Sequence, residues 1–204
     1  MPQNAYLCAG FQNIQELVMS NWCDWFVGHG ELWRDYHDKE WGQPVHDDQR
    51  LFEYLLMECM SCGLSWGLMM KKRDVFRSVF AGFDFHRVAA FTDEDIDEAT
   101  AVDGMIHSRR KVEGIVNNAR QVQKVIEEVG SFDRYIWSFT DDKVVRYKEN
   151  EDGVVLTSSP LSDAVAKDMK RRGFKYVGTV IIYSYLQGIG VINDHHNDCP
   201  LRGE

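Results

Sequence analysis

The sequence predicts an all-α protein that forms a single folding unit. Apolar residues recur at helical spacing along most of the chain, and strand-like composition is confined to two short pieces. No segment repeats at a fixed period, and no linker rich in proline, glycine or serine divides the chain. We therefore expect one helical unit over residues 21–204, whether or not two lobes subdivide it, and an N-terminal extension over residues 1–20.

The predicted helices are recognised by their apolar faces and by residues that start or stop a helix. Thr92 and Ser162 are typical N-caps, and Gly130 ends the long amphipathic helix that precedes it. The first helix contains few polar residues, so we expect it to be mostly buried. In chain order the predicted helices cover residues 50–64, 74–80, 86–91, 93–101, 109–129, 132–139, 162–172 and 178–188.

The strand-like pieces are residues 143–147 and 153–157, on either side of the charged turn 148–152. Two pieces of this length predict a small exposed hairpin or a loop. They do not alter the all-α fold class.

Composition and charge exclude several classes of protein. The 204 residues are 44% hydrophobic, enough for a core, and 23 Lys and Arg stand against 32 Asp and Glu, which excludes a uniformly basic coat. No apolar run reaches the roughly 20 residues that span a bilayer, and residues 1–20 lack the features of a secretion signal. Five scattered cysteines do not resemble a disulfide framework. We expect a cytoplasmic protein whose thiols are reduced or bind metal.

Ten basic residues are concentrated in three short clusters, within 71–73, 109–111 and 170–175. Each cluster alone is compatible with a solvated helix end, but together they could meet a polyanion, because an acidic protein can carry a basic face. The turn at Gly104 joins two predicted helices in the layout of a helix-hairpin-helix element, although simple helix packing gives the same pattern. The candidate nucleic-acid contacts are Gly104, Met105, Ile106, Arg109, Lys111 and Lys175.

Aromatic residues crowd the segment 22–66, which contains five of the six tryptophans. Most tryptophans belong to a core, but so many in one segment also suggest a pocket for a flat, cationic or electron-poor ligand. Glu58 stands in the apolar helix beside this segment, where an ionised carboxylate is costly unless a partner or ligand compensates it. A structural ion pair and a ligand contact are both open at this point.

Histidine and cysteine residues at the two ends of the chain are candidate metal ligands. His195 and Cys199 are four residues apart, and Cys23 and His37 lie near the other end. Two thiolates and two imidazoles suit tetrahedral zinc. The spacing also allows other ligand sets, since Cys59 and Cys62 form a CxxC pair and His29, His46 and His196 are available.

Several motifs together resemble the 3-methyladenine DNA glycosylase I family. The resemblance runs in order from about Cys23 to Cys199 and covers nearly all of the chain except the N-terminal extension. Its motifs are Tyr36-His37-Asp38-Lys39-Glu40-Trp41-Gly42, Leu51-Phe52-Glu53, Glu58, Gly63-Leu64-Ser65-Trp66, Lys71-Lys72-Arg73, Arg172-Gly173-Phe174-Lys175-Tyr176-Val177-Gly178-Thr179 and Asn193-Asp194-His195.

The resemblance implies a helix-hairpin-helix DNA repair enzyme that flips out 3-methyladenine and hydrolyses its N-glycosidic bond without cleaving the strand. It implies that Glu58 contacts the base and that a structural zinc ion joins the N- and C-terminal segments. The implied pocket residues are Trp25, Tyr36, Trp41, Trp66 and Ser184, and the implied zinc ligands are Cys23, His37, His195 and Cys199.

The implied partners are double-stranded DNA with alkylated bases and free 3-methyladenine as the product, and we expect a monomer without membrane association. Two other functions fit the same residues. One is a non-catalytic reader of alkylated or distorted DNA, and the other is a zinc-stabilised helical domain that binds a small purine. Release of free base from methylated DNA distinguishes the enzyme from both.

Overall fold

Helices make up almost all of the regular structure in the computed structural model, which describes residues 23, 28–148, 155–197 and 199–202. The α-helices are α1 (Glu31–Lys39), α2 (Asp48–Ser61), α3 (Trp66–Val79), α4 (Phe85–Ala89), α5 (Asp93–Ala101), α6 (Arg109–Val129), α7 (Phe132–Trp137), α8 (Pro160–Arg171) and α9 (Thr179–Gly188). Short 3-10 helices cover Ala81–Phe83, Ser138–Thr140 and Pro200–Arg202. The all-α class is confirmed for the described residues.

Of the two alternatives for residues 143–157, a hairpin or a loop, the described residues form a loop. Val145 makes a single parallel bridge to Ile192, because its N–H donates to Val191 and its carbonyl accepts from Asn193, and the pairing goes no further. Residues 155–157 have no strand structure, and 153–154 lie outside the described residues, as does the predicted extension 1–20.

Several helix ends agree with the sequence prediction because the capping chemistry is local. The Thr92 side chain accepts a hydrogen bond from the Asp95 N–H in a capping box, which starts α5 as predicted. Gly130 ends α6 in the left-handed conformation, with φ of 100°. For α8 the prediction is one turn late: Ser159 is the N-cap, Pro160 takes the first helical position, and Ser162 closes the capping box.

The early helices differ more from the prediction. Helix α3 begins at Trp66 rather than Asp74, because the Ser65 side chain caps it by accepting from the Leu68 N–H. Helix α2 ends at Ser61, since Cys62 leaves the helical conformation and Gly63 follows with φ of 76°. Helix α1 is not predicted at all. Its N-cap residue is Gly30, which has no side chain to cap the helix, so no N-cap signal marks it in the sequence.

Helix α2 lies at the centre of the fold. Every residue from Leu51 to Ser61 is buried, and α2 packs against α3, α6, α7 and α9. A helix covered on all sides needs an apolar surface all round, which explains its lack of a distinct polar face. None of the helices in the described part of the chain combines the length and apolar character that a bilayer span requires.

The turn after α9 depends on a close approach of two backbone segments. Gly190 has φ of 73°, and a Cβ there would lie 2.3 Å from the Gln43 carbonyl carbon and 2.4 Å from the Pro44 nitrogen. Gly82 has nearly the same φ, 72°, but no described atom lies within 4 Å of its Cβ position. Alanine substitutions at these two positions therefore distinguish the energetic cost of a left-handed backbone from the cost of a steric clash.

We expect Gly190→Ala to destabilise the protein by about 4 kcal/mol or more, because backbone atoms must move apart. Gly82→Ala is the matched control and should cost about 1–2 kcal/mol, the price of a left-handed alanine. Urea denaturation of the three proteins measures both values. Equal losses would show that the contact with Gln43 and Pro44 relaxes without cost.

Candidate active site and Cys-His cluster

Glu58 lies in the last turns of the buried helix α2 and is 6% exposed. Its carboxylate has one polar contact among the described residues, the Ser61 hydroxyl, whose Oγ lies 3.5 Å from Glu58 Oε2. The same hydroxyl lies 2.7 Å from the Glu58 carbonyl oxygen, to which it donates with better geometry. No basic side chain pairs with Glu58 in the described part of the chain, so the alternative of a structural ion pair is not supported.

Burial raises the pKa of Glu58 to about 8, and the Ser61 hydroxyl offsets only part of this effect. The carboxyl group is therefore mostly protonated at neutral pH when nothing is bound. A cation beside it would favour the ionised form and lower its pKa. This end of α2 is thus suited to a ligand that carries positive charge or donates hydrogen bonds.

Two of the predicted aromatic pocket residues, Tyr36 on α1 and Trp66 at the start of α3, pack against each other. Both are buried, their ring centroids are 5.6 Å apart, and the ring planes are tilted by 50°. Trp66 Nε1 is buried and finds no hydrogen-bond partner among the described residues. Buried donors are almost always paired in folded proteins, so an acceptor from a ligand would satisfy this indole N–H.

Helix α9 comes close to Tyr36 at Gly188. A Cβ on Gly188 would lie 3.4 Å from the Tyr36 hydroxyl oxygen and 3.3 Å from Cδ1 of Tyr54. Tyr54 is one turn before Glu58 on α2, and Ser184, half-buried, is one turn before Gly188 on α9. Tyr36 and Tyr54 therefore both meet α9 at Gly188. Contact of Ser184 with a base stays a prediction.

The two remaining pocket predictions have different outcomes. Trp41 is buried, and its ring lies 4.6 Å from that of His195 and 6.1 Å from that of His37, measured between centroids. Trp41 therefore packs against the histidines of the candidate metal cluster. Trp25 lies outside the described residues.

The candidate metal cluster brings together residues from the two ends of the chain. One ligand atom each of Cys23, His37 and Cys199 lies within 4.8 Å of the others, and Cys199 Sγ is 3.8 Å from His37 Nε2. Asp38 Oδ1 is 2.8 Å from His37 Nδ1. A carboxylate on one ring nitrogen orients the other nitrogen as a ligand, an arrangement that is common in zinc sites.

His195 is the fourth predicted ligand and lies next to this group. Its ring centroid is 5.1 Å from that of His37, and its Nδ1 is 3.0 Å from Asn193 Oδ1. Its Nε2 is buried without a hydrogen-bond partner among the described residues. Burial also lowers the pKa of His195 to about 4, so the imidazole is neutral and keeps a lone pair. Two thiols and two imidazoles with an orphaned nitrogen fit a zinc ion.

The predicted hairpin turn joins α5 to α6. Gly104 adopts a left-handed φ of 81°, and Met105 is buried. The backbone N–H groups of Ile106 and His107 make no hydrogen bond within the described residues. Unpaired amides in a turn are a favourable place for an anion.

The three basic residues that are predicted to contact DNA have different surroundings. Arg109 contacts the carboxylates of Asp97, Glu113 and Asp93, with Nε 2.6 Å from Asp97 Oδ1. Lys111 donates to the carbonyl oxygens of Met60 and Cys62, at 2.7 and 2.8 Å, at the end of α2. Lys175 is exposed. Contact of these residues with DNA stays a prediction.

Comparison with known proteins identifies the family. Residues 25–202 match the family model described as methyladenine glycosylase. The chain belongs to the methyladenine glycosylase family. It is 39% identical over 184 residues to the DNA-3-methyladenine glycosylase of Haemophilus influenzae, covering 90% of this chain and 99% of the relative. It is 38% identical to DNA-3-methyladenine glycosylase 1 of Escherichia coli, covering 87% and 94%.

The fold also matches solved structures of methyladenine glycosylases. A variant of 3-methyladenine DNA glycosylase I solved in complex with 3-methyladenine superposes with a TM-score of 0.84 at 31% identity, covering 91% of this chain and 99% of that one. The resemblance stated from the sequence motifs is therefore confirmed at the level of family and fold.

Sequence reasoning missed the ion-pair network that holds α1 against α2 and α3 in this glycosylase. Arg73 Nη1 lies 2.8 Å from both carboxylate oxygens of Glu40, and its Nε lies 2.7 Å from Glu53 Oε1. The Tyr54 hydroxyl also donates to Glu40 Oε2, at 2.5 Å. Glu53, like Glu58, stands in an apolar helix, so the same reasoning should have predicted a basic partner for it.

The raised pKa of Glu58 should make stability depend on pH. The folded state keeps the Glu58 proton up to about pH 8, whereas the unfolded chain releases it near its ordinary value of 4.5. Stability from this group is therefore complete below pH 4.5 and is lost as the pH rises towards 8. Each unit of pKa difference corresponds to about 1.4 kcal/mol.

We expect Glu58→Gln, which cannot ionise, to gain stability relative to the wild type by a few kcal/mol between pH 5 and pH 8. Urea denaturation of both proteins across this range measures the difference. A constant difference between the two proteins at all pH values would show that folding does not shift the pKa of Glu58.

Proposed function

We propose that this protein excises 3-methyladenine from alkylated double-stranded DNA. The observation that carries the proposal is the buried Glu58 carboxyl group, which has no basic partner among the described residues. Glu58 lies one turn after Tyr54 on α2, and Tyr54 and Tyr36 both approach Gly188 of α9. The names of the relatives and the complex of a solved relative with 3-methyladenine support the same substrate.

Hydrolysis of the N-glycosidic bond of 3-methyladenine in DNA needs little acid catalysis. A base methylated at N3 and joined to deoxyribose carries a positive charge. When the bond between C1′ and the base nitrogen breaks, the bonding electron pair neutralises the base, and water adds to C1′ and loses a proton. The protein mainly has to extract the base from the duplex and hold it.

Glu58 can accept hydrogen bonds from a bound base, whereas Trp66 can donate one. An ionised Glu58 accepts hydrogen bonds from an exocyclic amino group and attracts the cationic base, and the aromatic rings favour the same charge. The unsatisfied indole N–H of Trp66 donates to an acceptor. Neutral adenine gains less from this site, because it does not compensate the Glu58 charge.

The second candidate function is a non-catalytic reader of alkylated DNA. The α5–α6 element favours DNA binding in either case, because its turn carries the unpaired N–H groups of Ile106 and His107. We propose that this element is a helix-hairpin-helix and that Gly104, Met105 and Ile106 approach the phosphates. Chromatography of bases released from methylated DNA distinguishes the enzyme from the reader and from a purine-binding domain.

We further propose that Cys23, His37, His195 and Cys199 hold a structural zinc ion. The grouping of three ligand atoms within 4.8 Å and the orphaned Nε2 of His195 support it. Four protein ligands leave no open position for water, so the ion would stabilise the fold and not take part in hydrolysis. It would bind the N-terminal segment to the C-terminal one.

We expect Glu58→Gln to keep the fold but to weaken 3-methyladenine binding and to slow single-turnover excision, with some activity left because the substrate is already activated. Calorimetry with free 3-methyladenine and single-turnover assays measure the two effects. Glu53→Gln, on the same buried helix, is the control. It should lower stability through loss of the Arg73 pair and leave base affinity unchanged.

Unchanged affinity and rate in Glu58→Gln would show that this carboxyl group does not recognise the base. An equal loss of affinity in Glu53→Gln would show that the effect comes from the stability of α2.

We expect the protein purified without chelator to contain about one zinc per chain. Cys199→Ser should lose the metal and lower the melting temperature more than it lowers base affinity. Cys62→Ser is the control, because Cys62 lies outside the cluster, and it should keep the metal. Elemental analysis and thermal unfolding measure these effects, and wild-type protein without zinc would contradict the assignment.

A further inference from the structure

The basic residues near the hairpin turn are not equally available to a partner. The Arg109 guanidinium is neutralised by three carboxylates, two of them on α5, and therefore joins α5 to α6. The Lys111 ammonium is held by the carbonyl oxygens of Met60 and Cys62. Arg109 is itself exposed, so it differs from an available cation in its pairing, because the carboxylates around it offset its charge towards a phosphate.

Arg110 and Lys175 differ from these residues. Both are exposed, and neither the guanidinium nor the ammonium group has a hydrogen-bond or ion-pair partner among the described residues. The Lys175 backbone is bound at both its N–H and its carbonyl group, but its side chain is not. These two cations therefore keep their full charge at the surface.

Arg110 and Lys175 belong to two segments that contact each other although 65 residues separate them in the sequence. The Tyr176 hydroxyl donates to the Arg110 carbonyl oxygen at 3.3 Å. Gly114, one turn after Arg110 on α6, lies beneath this segment, since a Cβ there would be 2.6 Å from Tyr176 Cε2 and 3.6 Å from Lys175 Cβ. Glycine at 114 thus permits the close contact that brings the two cations to one surface.

The segment that presents Lys175 is held rigidly. The buried Asn118 side chain accepts from the Lys175 N–H at 2.7 Å and donates to the Lys175 carbonyl oxygen at 3.0 Å. Tyr176 follows in the left-handed region, with φ of 60°. A tyrosine holds this conformation only where its surroundings impose it, and such strain is concentrated at functional sites.

The same segment contacts the helix that carries Glu58. Cys59, the next residue after Glu58, lies with its Sγ 3.5 Å from the Lys175 carbonyl oxygen. The Lys175 backbone therefore contacts α2 at the residue next to Glu58, while the Lys175 side chain is exposed. A nucleotide whose base reaches Glu58 has its phosphates outside the site, where exposed cations can meet them.

We propose that Arg110 and Lys175 form a phosphate-binding pair that holds the DNA strand beside the extruded nucleotide, in place of Arg109 and Lys111. The proposal rests on the proposed glycosylase function for the identity of the nucleic acid. Arg109 instead stabilises the contact between α5 and α6, and Lys111 binds the carbonyl groups at the end of α2.

The salt dependence of DNA binding tests the pair. The probe is a fluorescein-labelled duplex with one tetrahydrofuran abasic site, and anisotropy gives Kd between about 50 and 200 mM salt. Each phosphate contact contributes a slope of about −0.9 in log K against log salt, so Arg110→Ala with Lys175→Ala should make the slope less steep by about 1.8. Arg110→Lys with Lys175→Arg should keep the wild-type slope.

Arg109→Ala and Lys124→Ala are the controls. The first removes a paired cation next to Arg110, and the second removes an exposed cation from the same helix. Both should keep the wild-type slope, and thermal unfolding verifies that each variant is folded. An unchanged slope in the double variant, or an equal change in either control, would overturn the proposal. If the wild type releases no 3-methyladenine, the proposed function fails, whereas the comparison of slopes still decides the role of the pair.

Discussion

The burial of α2 from Leu51 to Ser61 is the constraint on which the rest of the structure depends. A helical stretch with no solvent-facing side must have each of its polar groups matched by a neighbouring element. Arg73 and Arg77 from α3 do this for Glu53, and Lys111 from α6 does it for the carbonyl groups at the end of α2. Asp48, at the start of α2, accepts from the N–H groups of Phe132 and Asp133. Among the carboxyl groups of α2, Glu58 receives only a hydroxyl contact in the described part of the chain, and it is the one that faces the proposed ligand.

Local signals in the sequence were sufficient for much of the fold. The capping box at Thr92 and the left-handed Gly130 depend on residues within one turn, so α5 and α6 were predicted with their observed bounds. Glu58 was recognised for a similar reason, since a carboxylate in an apolar run is an energetic anomaly that neighbouring residues reveal. The motifs from Tyr36 onwards identified the family.

The features that could not be predicted depend on contacts between distant segments. Helix α1 has no side-chain cap, and it is held by the contact of Glu40 with Arg73, 33 residues later. The environment of Lys111 and Arg109 likewise depends on the three-dimensional placement of carbonyl and carboxylate groups. A cluster of basic residues in the sequence therefore shows that charge is present, but it does not show which of the charges are already paired.

The position of α9 has a consequence for synthesis of the chain. The Tyr185 hydroxyl donates to the Leu51 carbonyl oxygen of α2 across 134 residues of sequence, so α2 receives this cover only when the chain is nearly complete. At about 5–20 residues per second, translation leaves that side of the helix uncovered for roughly 7–27 seconds. The central buried helix α2 thus emerges from the ribosome early, long before α9 is synthesised. During that interval, nascent chains are most exposed to aggregation and most in need of a chaperone.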